Sequence, residues 1–249
     1  MFRIIARCDI KGKNLIKGIR YEGVRVIGDP GEFAMKYYAD GADEIVYIDS
    51  VASLYERSSL APLVENSVKN IFVPISVGGG INDLESARLI LKSGAEKVIV
   101  NTAAISNPNL INILSQEFGR QAVVVSIQAK KRENYWEALT HCGRSKTGLN
   151  VSKWMERVQE LGAGEVILTS VDCDGTMNGM DLGLIRSISG IVDLPVIASG
   201  GFTNDDPIEG LIRERVISGI AIGASLHRTD LTISCLKKRL HSNGINIRI

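Results

Sequence analysis

One long period constrains this 249-residue chain more than any other feature. Gly41-Ala42-Asp43-Glu44 and Gly162-Ala163-Gly164-Glu165 each precede a β-branched apolar run, and Glu44 and Glu165 stand 121 residues apart. Val77-Gly78-Gly79-Gly80 and Ala198-Ser199-Gly200-Gly201 close the runs that come next, and Gly80 and Gly201 are again 121 residues apart. Asn101-Thr102-Ala103 and Gly223-Ala224-Ser225 follow one run later at nearly the same offset. Two motif pairs at one spacing are the mark of a structural unit used twice. We therefore expect two similar halves, about residues 1–120 and 121–249, within one domain.

The unit itself is legible. Ile45-Val46-Tyr47-Ile48, Lys97-Val98-Ile99-Val100, Ala122-Val123-Val124-Val125, Val166-Ile167-Leu168 and Pro195-Val196-Ile197 are continuous rather than alternating apolar runs. Such runs suit strands buried on both faces of a parallel sheet. Between them lie helical patterns, for example residues 82–93 and 152–161. Strict alternation of this kind makes βαβ units, and a count of eight strands and eight helices closes a barrel. The expected fold is α/β, a single (β/α)8 TIM barrel built from two half-barrels, and the chain has the usual length for one. Residues 11–29 and 129–148 are longer connections, the second expected to include a small hairpin. Both fall at the C-terminal mouth, where barrel enzymes build their sites and where long loops are commonly functional.

Composition narrows the class of function. A formal net charge of +1 gives no electrostatic reason to expect a nucleic acid partner or an acidic membrane. No window is apolar enough for a membrane span, and Met1-Phe2-Arg3-Ile4-Ile5-Ala6-Arg7 enters a strand without a signal-peptide layout, so a cytoplasmic location is expected. Cys8, Cys142, Cys173 and Cys235 form no CxxC pair, and His141, His227 and His241 are scattered. Buried single thiols are expected, with no metal and no organic cofactor.

The glycine motifs carry the first chemical reading. Gly78-Gly79-Gly80 and Gly200-Gly201 stand between a strand end and a helix start. Glycine admits a phosphate close to the backbone, and free N–H groups with the helix dipole then hold it. Tight βα turns also use glycine for steric reasons alone. Here each motif is paired with a small polar segment one strand later, Asn101-Thr102 with Gly79 and Gly80, and Ala224-Ser225 with Gly200 and Gly201. Asp174-Gly175-Thr176 adds a turn beside the second. Two such grips would hold a small molecule with a phosphate at each end.

These residues resemble a known family. Arg3-Ile4-Ile5-Ala6-Arg7-Cys8-Asp9-Ile10-Lys11-Gly12, Lys17-Gly18, Gly28-Asp29-Pro30, Val77-Gly78-Gly79-Gly80 and Val100-Asn101-Thr102-Ala103-Ala104 are similar to the pattern of HisF, the cyclase subunit of imidazole glycerol phosphate synthase. Lys146-Thr147-Gly148, Leu168-Thr169-Ser170, Asp174-Gly175-Thr176 and Ala198-Ser199-Gly200-Gly201 continue it in register to the Gly244-Ile245-Asn246-Ile247-Arg248 tail. The glycine motifs alone would not separate HisF from its sister barrel, the histidine-pathway isomerase; the first-strand segment does. The resemblance implies a carbon–nitrogen lyase and cyclase that takes ammonia from a HisH-like glutaminase docked at the N-terminal barrel face. Ammonia reacts with a bis-phosphorylated ribulosyl aminoimidazole carboxamide to give imidazole glycerol phosphate and an aminoimidazole carboxamide ribotide. It also implies Lys17 among the phosphate-binding residues, and a gate of four charges at the ammonia entrance, matched here by Arg3, Glu44, Lys97 and Glu165. Arg3 and Asp9 are six residues apart on one strand, roughly 20 Å of passage at about 3.3 Å per residue.

One position departs from the pattern. The family uses two aspartates as general acid and base; Asp9 matches the first, and Gln128 occupies the place of the second. A glutamine amide orients a substrate but accepts no proton near neutral pH, and losing a positioned base typically slows a step by about 10²–10⁴. A water or Glu133 could substitute. A retained gate beside an altered mouth resembles the HisF-like WbuZ group, which accompanies a HisH-like glutaminase in surface-polysaccharide loci and is associated with sugar amidination. Ile10-Lys11-Gly12 and Val51-Ala52-Ser53-Leu54-Tyr55 fit that group. Two other readings stay open: a histidine-pathway cyclase that tolerates Gln128, and a non-catalytic scaffold that activates its glutaminase. The sister isomerase fits less well, since its reaction needs neither ammonia nor a gate.

Overall fold

The computed structural model describes residues 1–52 and 60–249. Twelve strands form one sheet. In chain order they are β1 (Arg3–Lys11), β2 (Asn14–Ile19), β3 (Glu22–Gly28), β4 (Glu44–Asp49), β5 (Ile75–Gly78), β6 (Lys97–Val100), β7 (Val123–Lys131), β8 (Trp136–Thr140), β9 (Ser145–Asn150), β10 (Glu165–Ser170), β11 (Val196–Ser199) and β12 (Gly219–Ile222). Eight of them, β1, β4, β5, β6, β7, β10, β11 and β12, pair in parallel in that order. Residues Arg3 to Ala6 of β1 then pair with Gly219 to Ile222 of β12, which closes the barrel and leaves no edge.

Helices connect and cover these strands, and polar caps set where they begin. The Asp29 carboxylate accepts the Gly31 and Glu32 N–H groups ahead of the helix Pro30–Ala39. Asp83 and Ser86 form a reciprocal cap that starts Leu84–Lys92 two residues later than the sequence pattern suggested. Asn150 likewise caps Val151–Glu160. Each cap satisfies N–H groups that the helix leaves without partners. Short extra helices, Thr102–Ser106 and Ala224–Arg228, follow β6 and β12 at the two polar segments. Among the described residues no helix is long and apolar enough to cross a membrane.

The strand alternation divides the core. On β1, Ile4, Ala6 and Cys8 face the helices, together with Val98, Val125, Trp154 and Leu236 from elsewhere in the chain. Ile5 faces the axis and packs with Val46, Ile99, Val124, Ile167, Ile197 and Ala221 in one apolar layer. Burying each large aliphatic side chain contributes about 1.5–3 kcal/mol. With Ile5 inward, Arg3, Arg7 and Asp9 share its side of the strand.

Two expectations need correction. The eight barrel strands and the small hairpin expected within residues 129–148, β8–β9 on β7, are present, but residues 11–29 also fold as a hairpin, β2–β3 on β1, that the sequence pattern did not indicate. The β2–β3 turn places Arg20 and Tyr21 at positive φ, the geometry of a tight hairpin turn that Asn-Gly usually marks. Cys8 is a buried thiol, but Cys142 and Cys173 are only partly covered and Cys235 is exposed. On the helix Ile233–Ser242 the buried positions are Ile233, Leu236, Lys237 and Leu240, so Cys235 falls on the solvent side. Of the Val51 to Tyr55 segment, residues 53–55 lie outside the described residues.

Candidate active site

The barrel carries a charge cluster at each end. Arg3, Glu44, Lys97 and Glu165 are each the first residue of a barrel strand, which brings all four to the N-terminal floor. Arg3 Nη1 lies 3.0 Å from Glu44 Oε2, and its other nitrogen contacts Glu165. Lys97 Nζ lies 3.0 Å from Glu44 Oε2 and 2.8 Å from Glu165 Oε2. Each cation thus bridges both carboxylates in a neutral, closed ring. Burial alone would make the Arg3 cation less stable, but Glu165 and Glu44 outweigh it and raise its pKa. The two glutamates are buried, and buried charges need partners of this kind.

Beyond the apolar layer stands a second cluster, in which Asp9, Lys17 and Asp174 were singled out from the sequence and Arg7 was not. Arg7 Nε donates to Asp9 Oδ1 at 2.9 Å. Its Nη1 donates to Thr169 and Ser199 hydroxyls at 3.1 and 3.2 Å, and its Nη2 to the Tyr21 hydroxyl at 3.0 Å. Lys17 Nζ donates to Asp9 Oδ2 at 2.6 Å and to both Asp174 oxygens at 3.0 Å. Arg7, Asp9, Lys17 and Asp174 are all buried. Burial would push the Asp9 carboxyl up, yet Arg7 and then Lys17 prevail and hold it well below the usual carboxylate range. Asp9 is therefore a fixed anion with both oxygens occupied. A proton would displace strong charge-assisted bonds. Alternation along β1 from Arg3 to Asp9 was the signal that could have placed Arg7 inside.

Gln128, at the end of β7, is equally fixed. Its Oε1 accepts the Gly143 N–H at 2.7 Å. A backbone N–H only donates, so the oxygen must face Gly143, and the amide N–H groups have no partner among the described residues. Gln128 is buried and lines a cavity of about 620 Å³. Glu133 sits in the exposed turn between β7 and β8 and does not line that cavity.

The glycine motifs end in two unlike places. Gly79, Gly80, Asn101 and Thr102 line the 620 Å³ cavity. Gly79 has φ of 101°, and a Cβ there would meet the Asp49 carbonyl oxygen at 2.5 Å, so packing alone requires this glycine. Asn101 Nδ2 donates to the Ser126 and Leu139 carbonyls, and Thr102 Oγ1 accepts from the His141 N–H. Gly175, Gly200, Gly201, Ala224 and Ser225 instead surround about 10 Å³ of space, together with Arg7 and Asp174. There the Ser225 hydroxyl donates to the Phe202 carbonyl. Lys17 is committed to Asp9 and Asp174 and offers no free ammonium at either glycine turn.

Cys142 lies beside Gln128, its Sγ 2.8 Å from the Ser50 carbonyl; burial, then Asp9, pushes its pKa up to about 11. His227 packs behind the mouth cluster with its Nδ1 2.5 Å from the Tyr37 hydroxyl. Burial and then Lys17 push its pKa down to about 4.

Comparison with known proteins agrees with this architecture. The family described as "Histidine biosynthesis protein" matches residues 3–232. The imidazole glycerol phosphate synthase subunit HisF of Legionella pneumophila is 52% identical over 200 residues, 80% of this chain and 94% of that protein. HisF of Pyrococcus furiosus is 44% identical over 248 residues, 99% of this chain and 98% of that protein. HisF of Myxococcus xanthus is 39% identical over 246 residues, with 99% and 97% covered.

Proposed function

The chain belongs to the histidine-biosynthesis protein family, as a cyclase subunit of the HisF type, and we propose that it accepts ammonia from a HisH-like glutaminase while its mouth has diverged from imidazole glycerol phosphate synthesis. The glutaminase would dock at the N-terminal face, over the ring of Arg3, Glu44, Lys97 and Glu165, and ammonia would pass the ring into the bore. The product nitrogen then serves amidination of surface-polysaccharide sugars. A phosphorylated small molecule is the other partner.

What supports the divergence is the pair of positions that the family resemblance assigns to proton transfer: one is occupied by Gln128, and the other, Asp9, is bound on both oxygens. Gln128 does not titrate, and its amide is turned by Gly143 to present donors. Asp9 is neutralised by Arg7 and Lys17 on both oxygens. General acid–base catalysis works best with a group whose pKa lies near the working pH, a condition that neither a glutamine nor a doubly ion-paired aspartate favours. The floor ring, by contrast, keeps all four charges.

Stimulation of a HisH-type glutaminase tests this reading. Glutamine hydrolysis should rise when the chain is added, and Lys97→Met should lessen that rise. An unchanged rate with no complex on a sizing column would sink it. A histidine-pathway cyclase remains the second reading, favoured by the near full-length similarity to HisF subunits; it requires fast ammonia-dependent ring closure despite Gln128.

A further inference from the structure

Resting on that reading, we propose that the β8–β9 turn, residues 141–144, recognises the partner molecule as an acidic sugar that carries an acyl-amido group. Arg144 and Lys11 bind its carboxylate, and the Gln128 amide binds its carbonyl oxygen. Three observations lead there.

The first is where charge collects. The two mouth hairpins, residues 11–28 and 130–148, hold ten lysines and arginines against three glutamates. The whole chain carries only +1, so the mouth is its basic end and attracts anions. Part of this charge is already answered: Lys17 pairs with Asp9 and Asp174, and Arg132 with Glu137. The side chains of Lys11 and Arg144 are exposed and have no partner among the described residues. Both line a crevice between the hairpins, together with Tyr21, Val24 and Val51. Asp9 and Asp174 also reach it, but Arg7 and Lys17 neutralise them, which leaves two free cations. A guanidinium fork beside an ammonium suits a planar carboxylate.

The second is how the turn is held. His141, Cys142 and Gly143 have φ of 51°, 56° and 75°, a left-handed run in which only the third residue is glycine. Such backbone persists only where its surroundings fix it. Here the His141 N–H donates to Thr102 Oγ1 at 3.1 Å and the Cys142 thiol to the Ser50 carbonyl at 2.8 Å. The Gly143 N–H donates to Gln128 Oε1 at 2.7 Å. Segments at the ends of β6, β4 and β7 thus set the turn, and the turn sets both Arg144 and the Gln128 amide.

The third is what adjoins the crevice. Cys142 lines both the crevice and the 620 Å³ cavity, so one molecule can extend from one into the other. In the cavity, Gln128 is 5% exposed and its amide N–H groups are unpartnered among the described residues. Buried donors of this kind call for an acceptor oxygen. The lining includes Ile48, Ile81 and Ile99 and no lysine or arginine, so a neutral carbonyl suits the amide. Ile99 belongs to the apolar layer of the bore, and ammonia leaving the bore would enter the cavity that holds this carbonyl.

Calorimetric titration of the chain alone reads each contact with three probes: N-acetylneuraminic acid, its methyl ester, and the analogue with a hydroxyl in place of the acetamido group. We expect the acid to bind about tenfold tighter than the ester, one charge-assisted contact. That advantage should vanish when Lys11→Gln and Arg144→Gln are combined; both side chains are exposed, so the core is untouched. The acid should also bind about tenfold tighter than the hydroxyl analogue, and Gln128→Leu should remove that preference. Equal binding of acid and ester, or an advantage that survives the double variant, overturns the carboxylate site. An analogue bound as tightly as the acid, a preference kept by Gln128→Leu, or absence of binding by all three overturns the proposal as well. N-acetylglucosamine 6-phosphate separates the two sources of negative charge. If the double variant weakens it as much as the acid, the crevice takes a phosphate and the assignment of a carboxylate falls. Glutaminase stimulation is measured separately, so failure here leaves the ammonia-handling reading standing, and the reverse.

Discussion

The floor and the mouth of this barrel hold the same set of charges, two cations and two carboxylates, in opposite circumstances. At the floor, Arg3 and Lys97 keep 26% and 16% of their side chains exposed over nearly buried glutamates. At the mouth no member of the Arg7, Asp9, Lys17 and Asp174 cluster exceeds 6%. The floor ring can exchange a side chain with water and re-form, because its cations already reach solvent. The mouth cluster cannot open a single bond without leaving a charge uncompensated in a dry site. Identical formal composition thus gives a ring in exchange with water at one end and a fixed wall at the other. Burial makes the difference.

Substitution should expose that difference. Arg7→Met removes the partner of a buried anion and should destabilise the chain by about 3–5 kcal/mol in urea unfolding. Lys97→Met, with a partly exposed cation and Arg3 still bridging both glutamates, should lose only about 1–2 kcal/mol. A larger loss at Lys97 than at Arg7 would break the contrast.

Acid sharpens it next. The His227 pKa is pushed down to about 4 in the fold, from an ordinary value of 6.5. Its neutral form is the folded one, so between pH 6.5 and 4 the unfolded chain binds more protons and stability falls as pH falls. That contribution is about 2–3 kcal/mol, and His227→Phe should flatten the slope across this window. Asp9 behaves otherwise. Its depressed carboxyl keeps the mouth cluster's stabilisation present above the ordinary carboxylate range and loses it only as pH falls below that range. The surface pair of Arg88 and Glu117, 2.7 Å apart but 34% and 41% exposed, sets the baseline: Glu117→Gln should change stability by less than about 0.5 kcal/mol.

The contrast also marks what the sequence could tell. The barrel was legible because continuous apolar runs and a 121-residue period report local patterns. The floor charges were legible through the family resemblance, and the structure sets each at the head of a strand. Arg7 was overlooked beside the conspicuous Asp9, although alternation alone sets it on the inward face. The Arg20–Tyr21 turn carries no glycine to announce its two positive φ angles. Nor does any spacing reveal that Gly18 and Gly175 meet backbone to backbone.

Steady-state cyclisation of the bis-phosphorylated ribulosyl aminoimidazole carboxamide with excess ammonium salt bears most directly on a mouth without working proton transfer. Ammonium bypasses the glutaminase, so the rate belongs to the barrel. Measured beside HisF of Pyrococcus furiosus, the chain should turn over at least about 10²-fold more slowly. Gln128→Asp should recover less than about tenfold, because Arg7 and Lys17 still hold Asp9. Wild-type turnover within about tenfold of the Pyrococcus enzyme would contradict this and make the chain a histidine-pathway cyclase.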